Sequence, residues 1–348
     1  VDAKGNAIKN EDNTSVIMED LWGRESLFTD QYKGAMFSPR GRTDPPQNYT
    51  DETFDSVLFR YFERVFGIWS KEAFRSVRRA MIGTNRRNLL GERLQSIVWD
   101  GHPRIENAMV NYWGAVDTPY ARKVSKGTFL GGIARCMFPG TKWDHVLILE
   151  GEQRKGKSYS LQVITYGYYV NVKMGDSADS ISRKSCSAWC VNCDELDHMT
   201  KGNREAFKSW VSETHENWVP KYIEYARETP RPFFITGTTN ETVYLNDPTG
   251  GERFWPIRVA QTRDKVDVAG LERDRDQLWA EAWHILQQSP ADWWREFEND
   301  ATGAAIEQAS REHDDPLTEV LAAAIATSRQ PRAVVKDGPS RSISVRFV

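Results

Sequence analysis

Long apolar runs are missing from this 348-residue chain, which has no uninterrupted aliphatic stretch longer than seven residues. A membrane-spanning helix needs roughly 18 apolar residues, so none is expected. Cysteine is scarce: there are four, and three of them (Cys186, Cys190, Cys193) crowd into one segment. That count excludes a disulfide scaffold and fits a reducing cytoplasm. A surplus of one charge is missing too, since 46 Lys and Arg stand against 49 Asp and Glu for a net charge of −3. The balance excludes a polybasic nucleic-acid coat but leaves room for a locally basic groove. Residues 1–14 hold no apolar segment of the kind a secretory signal requires, and the first residue is Val1. The chain is therefore expected to begin inside a longer protein. It contains no internal repeat and no long low-complexity tract.

What is plentiful is tryptophan, with 13 residues. At roughly 150 residues per domain the length corresponds to about two domains, or one with attachments. Residues 1–49 are rich in Asn, Asp, Gly and Pro and read as an irregular lead-in. Phe54, Val57, Leu58, Tyr61 and Phe62 then recur at helical spacing, and a second helix is expected over 70–81. Between Arg60 and Arg93 nine Lys or Arg face three Glu. This basic stretch reads either as a solvated helical face or as a small helical, winged-helix-like module that touches phosphates. Residues 107–138 read as helices interrupted by Gly127 and the Gly131-Gly132 pair. After that the period changes: short apolar runs ending near Leu149, Cys193 and Thr236 alternate with helical stretches. Strand and helix in alternation predict an α/β fold with a mostly parallel sheet flanked by helices.

The first of these strands runs directly into Gly151-Glu152-Gln153-Arg154-Lys155-Gly156-Lys157-Ser158, which satisfies G-x-x-x-x-G-K-[ST], and a helix-competent stretch follows. Glycines let consecutive backbone amides wrap a phosphate, and the helix N-terminus directs its positive dipole end at the same anion. In this reading all eight residues cradle ATP, Lys157 reaches the β- and γ-phosphates and the Ser158 hydroxyl ligates Mg²⁺. A decorative Gly-Lys turn is the alternative. The second strand ends in Asp194-Glu195, with Asp194 assigned to Mg²⁺ and Glu195 to the attacking water. Cys190-x-x-Cys193 has half the spacing of a zinc site, but strand alternation points the two thiols to opposite faces and no second pair exists. The third strand leads to Asn240, a candidate sensor of the γ-phosphate or a plain turn residue. Arg253 sits between turn glycines and Trp255, suited to reach a phosphate across a subunit boundary or to rest on the indole face.

These residues resemble the virulence-associated E family, phage- and island-encoded ATPases similar to superfamily 3 helicases within the AAA+ class. The matching stretches are Trp99-Asp-Gly-x-Pro-Arg104, Tyr112 to Tyr120, Trp143 to Gln153, Pro230-Arg231 leading to Gly237-Thr-Thr-Asn240, Asp247-Pro-Thr-Gly250 with Arg253-Phe-Trp-Pro256, and Asp274 to Glu281. Together they span Trp99 to Trp294. The resemblance implies a P-loop ATPase of AAA+ type over 107–294, after an N-terminal segment and small module (1–106) and before a C-terminal helical tail (295–348). It implies a homo-oligomeric ring, six-membered by expectation, that uses ATP and Mg²⁺ to move along single-stranded or forked DNA in the cytoplasm of a bacterial host. A primase, fused or separate, is the implied partner. The alternatives are a nucleotide-dependent DNA-binding or initiator module that does not unwind, and an accessory ATPase acting on a protein partner.

The chain departs from the family pattern in three places. Asn192 stands where the family often has glutamate, Arg154-Lys155 replaces a glycine-rich part of the loop, and Glu252-Arg253 replaces paired arginines, leaving Arg253 alone to inherit a finger role. Superfamily 3 helicases place a channel-facing hairpin between the second and third strands, which here is the interval from His215 to Arg231. Lys221, Arg227 and Arg231 are its candidate DNA-binding cations, Lys221 foremost, with Trp218 and Tyr222 as stacking surfaces; the alternative is that Trp218 and Tyr222 are core residues and the cations are solvated.

Overall fold

Apolar residues at helical spacing begin earlier than the composition suggests. In the computed structural model, which describes residues 8–38, 47–48, 57–67, 69–173, 176–194, 201–218, 227–240 and 253–298, Thr14, Met18 and Trp22 lie four residues apart on the buried face of α1 (Glu11–Trp22). The Asn10 side chain caps this helix by accepting from the Asn13 amide. β1 (Leu27–Asp30) then pairs antiparallel with β2 (Gly34–Phe37). The irregular lead-in expected for residues 1–49 is thus corrected to a helix and a strand pair. The Asn and Asp residues of and before α1 are a cap and a solvent face, which composition alone does not distinguish from loop.

β3 (Gln47–Asn48) joins β2, α2 (Phe59–Phe66) and α3 (Lys71–Thr84) follow, and β4 (Arg86–Arg87) joins β1 in parallel. Met18, Trp22, Phe37, Phe62 and Phe74 make a separate small core for this module. Several of its cations are structural: Arg78 is buried, and Arg87 pairs with Glu92 while lying 4.7 Å over Phe28. A turn residue ties the module to the rest, because Tyr32 is buried, packs 5.3 Å from Tyr168 and donates its hydroxyl to the Pro232 carbonyl at 2.8 Å. α4 (Leu89–Ser96) belongs to the larger unit, where Leu90, Leu94 and Ile105 are core residues, so the packed unit begins before residue 107.

Past α5 (Ala108–Asn111), α6 (Pro119–Met137) runs for 19 residues without a break. The interruptions expected at Gly127, Gly131 and Gly132 do not occur. A Cβ on Gly127 would meet the Trp255 ring at 2.7 Å, on Gly131 the Trp143 ring at 2.2 Å and on Gly132 the Trp279 ring at 2.9 Å. These glycines let three indoles lie against the helix backbone, which accounts for part of the tryptophan excess.

The central sheet comprises β5 (Val146–Glu150), β6 (Tyr169–Val172), β7 (Cys190–Asp194), β10 (Phe234–Thr239) and β11 (Phe254–Arg258) in the order β11-β5-β10-β7-β6, every pairing parallel. Between them come α7 (Lys157–Ile164), α8 (Ala178–Ser185), α9 (Lys201–Ser212) and an antiparallel pair, β8 (His215–Trp218) with β9 (Arg227–Pro230). Leu147, Leu149, Cys190, Phe234, Trp255 and Ile257 face one core with α6, α7 and α10 (Val268–Gln288), while Val146, Ile148, Val191, Cys193, Ile235 and Phe254 face the other with α8 and α9. Strand alternation therefore puts Cys190 and Cys193 on opposite faces, and burial pushes both thiols up, Cys190 to about 12. α11 (Arg295–Glu298) ends the described chain with Phe297 packed against Trp143 and Trp255, so the packed unit runs past residue 294. Among the described residues no helix is long and apolar enough to cross a membrane.

Candidate functional site

The chain leaves β5 at Glu150 and enters α7 at Lys157 through a loop in which Gly151 (φ 148°), Arg154 (φ 63°) and Gly156 (φ 94°) have positive φ. Gly156 is the N-cap of α7 and supplies no side-chain acceptor, so no side chain there competes for the first-turn amides. This is the backbone arrangement that lets amides converge on an anion. Glu152, Gln153 and Arg154 are exposed. Lys155 holds the loop's flank: its ammonium is 3.3 Å from Asp264, and its carbonyl accepts from the Val266 amide at 3.0 Å.

The buried Lys157 ammonium donates to the carbonyls of Gly151 (2.5 Å) and Glu152 (2.8 Å) and to Asn240 Oδ1 (2.9 Å). Burial lowers its pKa, and the nearby Asp194 carboxylate opposes that shift. Because β10 lies between β5 and β7, Thr238 is in register with Leu149 on one side and Asp194 on the other. Thr238 Oγ1 donates to Asp194 Oδ1 at 2.6 Å. Alternation places Asn192, Asp194, Thr236, Thr238 and Asn240 on the α7 face of the sheet. Gly151, Gly156, Lys157, Ser158, Asp194 and Asn240 thus lie at or just beyond the carboxyl ends of the three central strands.

Other expected residues stand elsewhere. Arg253 precedes β11 at the opposite edge, 3.6 Å from Asp144. Five residues of strand, roughly 16 Å, separate it from the level of Glu150, with which Arg258 is in register. Arg231 is corrected: it is 1% exposed, its Nε lies 2.7 Å from a Glu216 carboxylate oxygen, and it stacks 4.9 Å from Trp210. Burial lowers its pKa. A side chain so placed cannot face DNA, because the α8–α9 face encloses it. Glu195, Lys221 and Tyr222 lie outside the described residues, as do the side chains of Trp218 and Arg227.

Residues that no sequence motif marks also stand here: Thr238 bonds Asp194, Thr236 and Asn171 bond the neighbouring Asn192, Tyr169 bonds Asn171, and Arg258 pairs with the buried Glu150 at 3.5 Å. Their only sequence signal is strand alternation carried to the strand ends. A cavity of about 780 Å³ lies away from the loop, lined by Trp99, Asp117, Arg122, Lys126, Glu281 and Phe297.

The virulence-associated protein E-like domain matches residues 94–314, more than half of the chain. The chain belongs to the virulence-associated protein E-like family. Among solved structures it is similar to the apo structure of the NrS-1 C terminal region (305–718), at 12% identity and a TM-score of 0.54, covering 91% of this chain and 78% of that one. Two A form apo structures of the same region give TM-scores of 0.54 and 0.52 at 11% identity, covering 91% and 86% of this chain and 78% and 74% of theirs. At such identities the likeness is one of fold. No curated protein matches the chain.

Proposed function

We propose that this family member is a P-loop ATPase of AAA+ type that serves as the helicase module of a phage or mobile-element replication protein. The observation that carries the reading is the convergence of Lys157 with Asn240 and Asp194 beside a loop whose three positive-φ residues close on the N-terminus of α7. The donor set fits a nucleoside triphosphate: the first turn of α7, capped by no side chain, and one ammonium suit polyanionic oxygens, with the Asp194 carboxylate close enough to act on the ionisation of Lys157. Loop residues 151–158 would hold the phosphates, and Lys157 would exchange the Gly151 and Glu152 carbonyls for phosphate oxygens. Asn240 stands where it can follow that exchange. Ser158 and Asp194 would hold Mg²⁺, which when bound would supply positive charge to offset that of the phosphates. Glu195 is the residue proposed to polarise water.

The β8–β9 pair supports a nucleic-acid role for the interval between β7 and β10, with Lys221 and Arg227 as its cations, Arg231 being buried. Arg253 is too far from its own loop to serve it, so a finger role requires a neighbouring subunit in a ring. The test is ATP turnover with and without single-stranded DNA, alongside particle mass with ATP. DNA-stimulated turnover, abolished by Lys157→Ala, and fork unwinding lost in Glu195→Gln with ATP binding kept are the expected results. Turnover indifferent to DNA with no strand displacement would replace the helicase by an ATPase acting on a protein partner. Turnover retained by Lys157→Ala would remove the nucleotide site itself.

A further inference from the structure

Helix α2 buries Phe59 and Phe62 on one side. On its other side Val57, Arg60, Tyr61, Arg64 and Val65 follow at spacings of three and four residues, all exposed and so on one face. Val57, Tyr61 and Val65 are 54%, 48% and 48% exposed. Arg60 and Arg64 make no ion pair or hydrogen bond among the described residues, although two like charges four residues apart work against the helix that carries them. An apolar stripe centred on a tyrosine and interleaved with arginines has the composition of a binding surface, where Tyr and Arg are enriched, rather than of a solvated face.

The same module carries a surface of opposite sign. Between α1 and α3 lies a hollow of about 240 Å³ whose lining includes Glu11, Asp12 and Glu19 of α1, the buried Val77 and Met81 of α3, and Arg24 as its one cation among the described residues. Glu11 and Asp12 are exposed and, like the arginines of α2, engage no partner among the described residues. Glu19 stands in the last turn of α1, where the helix dipole disfavours a carboxylate. No residue of α2 lines this hollow, so the two surfaces meet only between copies of the chain.

We propose that α2 of one copy docks in the α1–α3 hollow of a second copy, with Tyr61 inserted over Val77 and Met81 and with Arg60 and Arg64 facing Glu11, Asp12 and Glu19. Polarity and charge both favour that occupant. Tyr and Arg are the side chains that most often anchor an interface by filling a pocket, and the hollow offers apolar side chains beside an acidic wall. A nucleic-acid backbone would satisfy the arginines but leave Val57 and Val65 without an apolar partner. Because the two patches differ, the contact is heterologous: a dimer leaves one patch of each kind free, and repetition closes a ring or extends a filament. The inference is independent of the nucleotide site. A contact confined to two helical turns is smaller than the roughly 800 Å² per partner of a stable interface, so it dissociates at measurable concentrations.

The experiment is sedimentation of the full chain over a concentration series without nucleotide, with single-stranded DNA affinity measured beside it. The wild type is expected to self-associate, and Tyr61→Ser, at an exposed position, should raise the dissociation constant about tenfold or more, as loss of an interface anchor does. Arg60→Glu with Arg64→Glu should weaken association likewise, and so should Asp12→Arg with Glu19→Arg. Combining all four substitutions in one chain reverses both patches and should restore association, which a folding defect would not do. A wild type that stays monomeric throughout, or charge variants that sediment as the wild type does, would overturn the proposal. So would an Arg60→Glu, Arg64→Glu variant that associates normally but binds DNA less tightly, which would assign the α2 face to nucleic acid.

Discussion

Replacing Arg231 separates a buried structural cation from a DNA contact. Arg231 and Glu216 are 1% and 2% exposed and 2.7 Å apart. Glu216 also accepts from the Ser182 hydroxyl and, at 3.0 Å, from the Trp210 indole. Arg231→Met leaves a carboxylate buried without its counter-charge, a loss of about 3–5 kcal/mol in a fold whose whole stability is on the order of 5–15 kcal/mol. The thermal midpoint should fall by roughly 5–12 °C. Removing the carboxylate as well, in Glu216→Leu with Arg231→Met, eliminates the stranded charge and leaves the Ser182 and Trp210 donors unmet, at about 1–3 kcal/mol each. The double variant should therefore be less destabilised than the sum of its parts, a coupling of roughly 1–3 kcal/mol. Differential scanning fluorimetry and urea midpoints on the full chain measure this, with single-stranded DNA affinity followed in parallel. A normal midpoint in Arg231→Met, combined with weakened DNA binding, would refute the burial argument and restore Arg231 to the DNA surface.

Two further outcomes follow from α6 and the loop. Gly131→Ala should destabilise by about 1–3 kcal/mol through overpacking, since the new Cβ meets the Trp143 ring at 2.2 Å, whereas Gly83→Ala in α3 meets nothing within 4 Å and should gain up to about 1 kcal/mol of helix propensity; equal effects in calorimetry would discount the indole contacts. Burial lowers the Lys157 pKa, so its charge is present below that value and lost as pH rises through it. Affinity of the free protein for a triphosphate should accordingly decline below the free-lysine value of about 10.4. Titration calorimetry across the alkaline range checks this, and an affinity that stays flat up to that value would contradict it.

The glycine loop, the parallel sheet and the Lys157–Asp194–Asn240 edge were legible in the chain because each is local: an apolar run, a positive-φ glycine and a polar residue at a strand end are encoded within a few positions. α1 was hidden because its Asn and Asp residues match loop composition, and the continuity of α6 because a glycine's cost depends on what packs against it. Arg231 was misplaced for a related reason. An arginine beside a strand pair reads the same whether it faces solvent or Glu216, and that depends on α8 and α9 folding back over it. The amino-acid sequence alone determined the alternation of strand and helix and the chemistry available at the strand ends. Only the tertiary structure decided strand order, and with it the placement of β10 between Lys157 and Asp194, because parallel pairing joins residues dozens of positions apart that no local pattern connects.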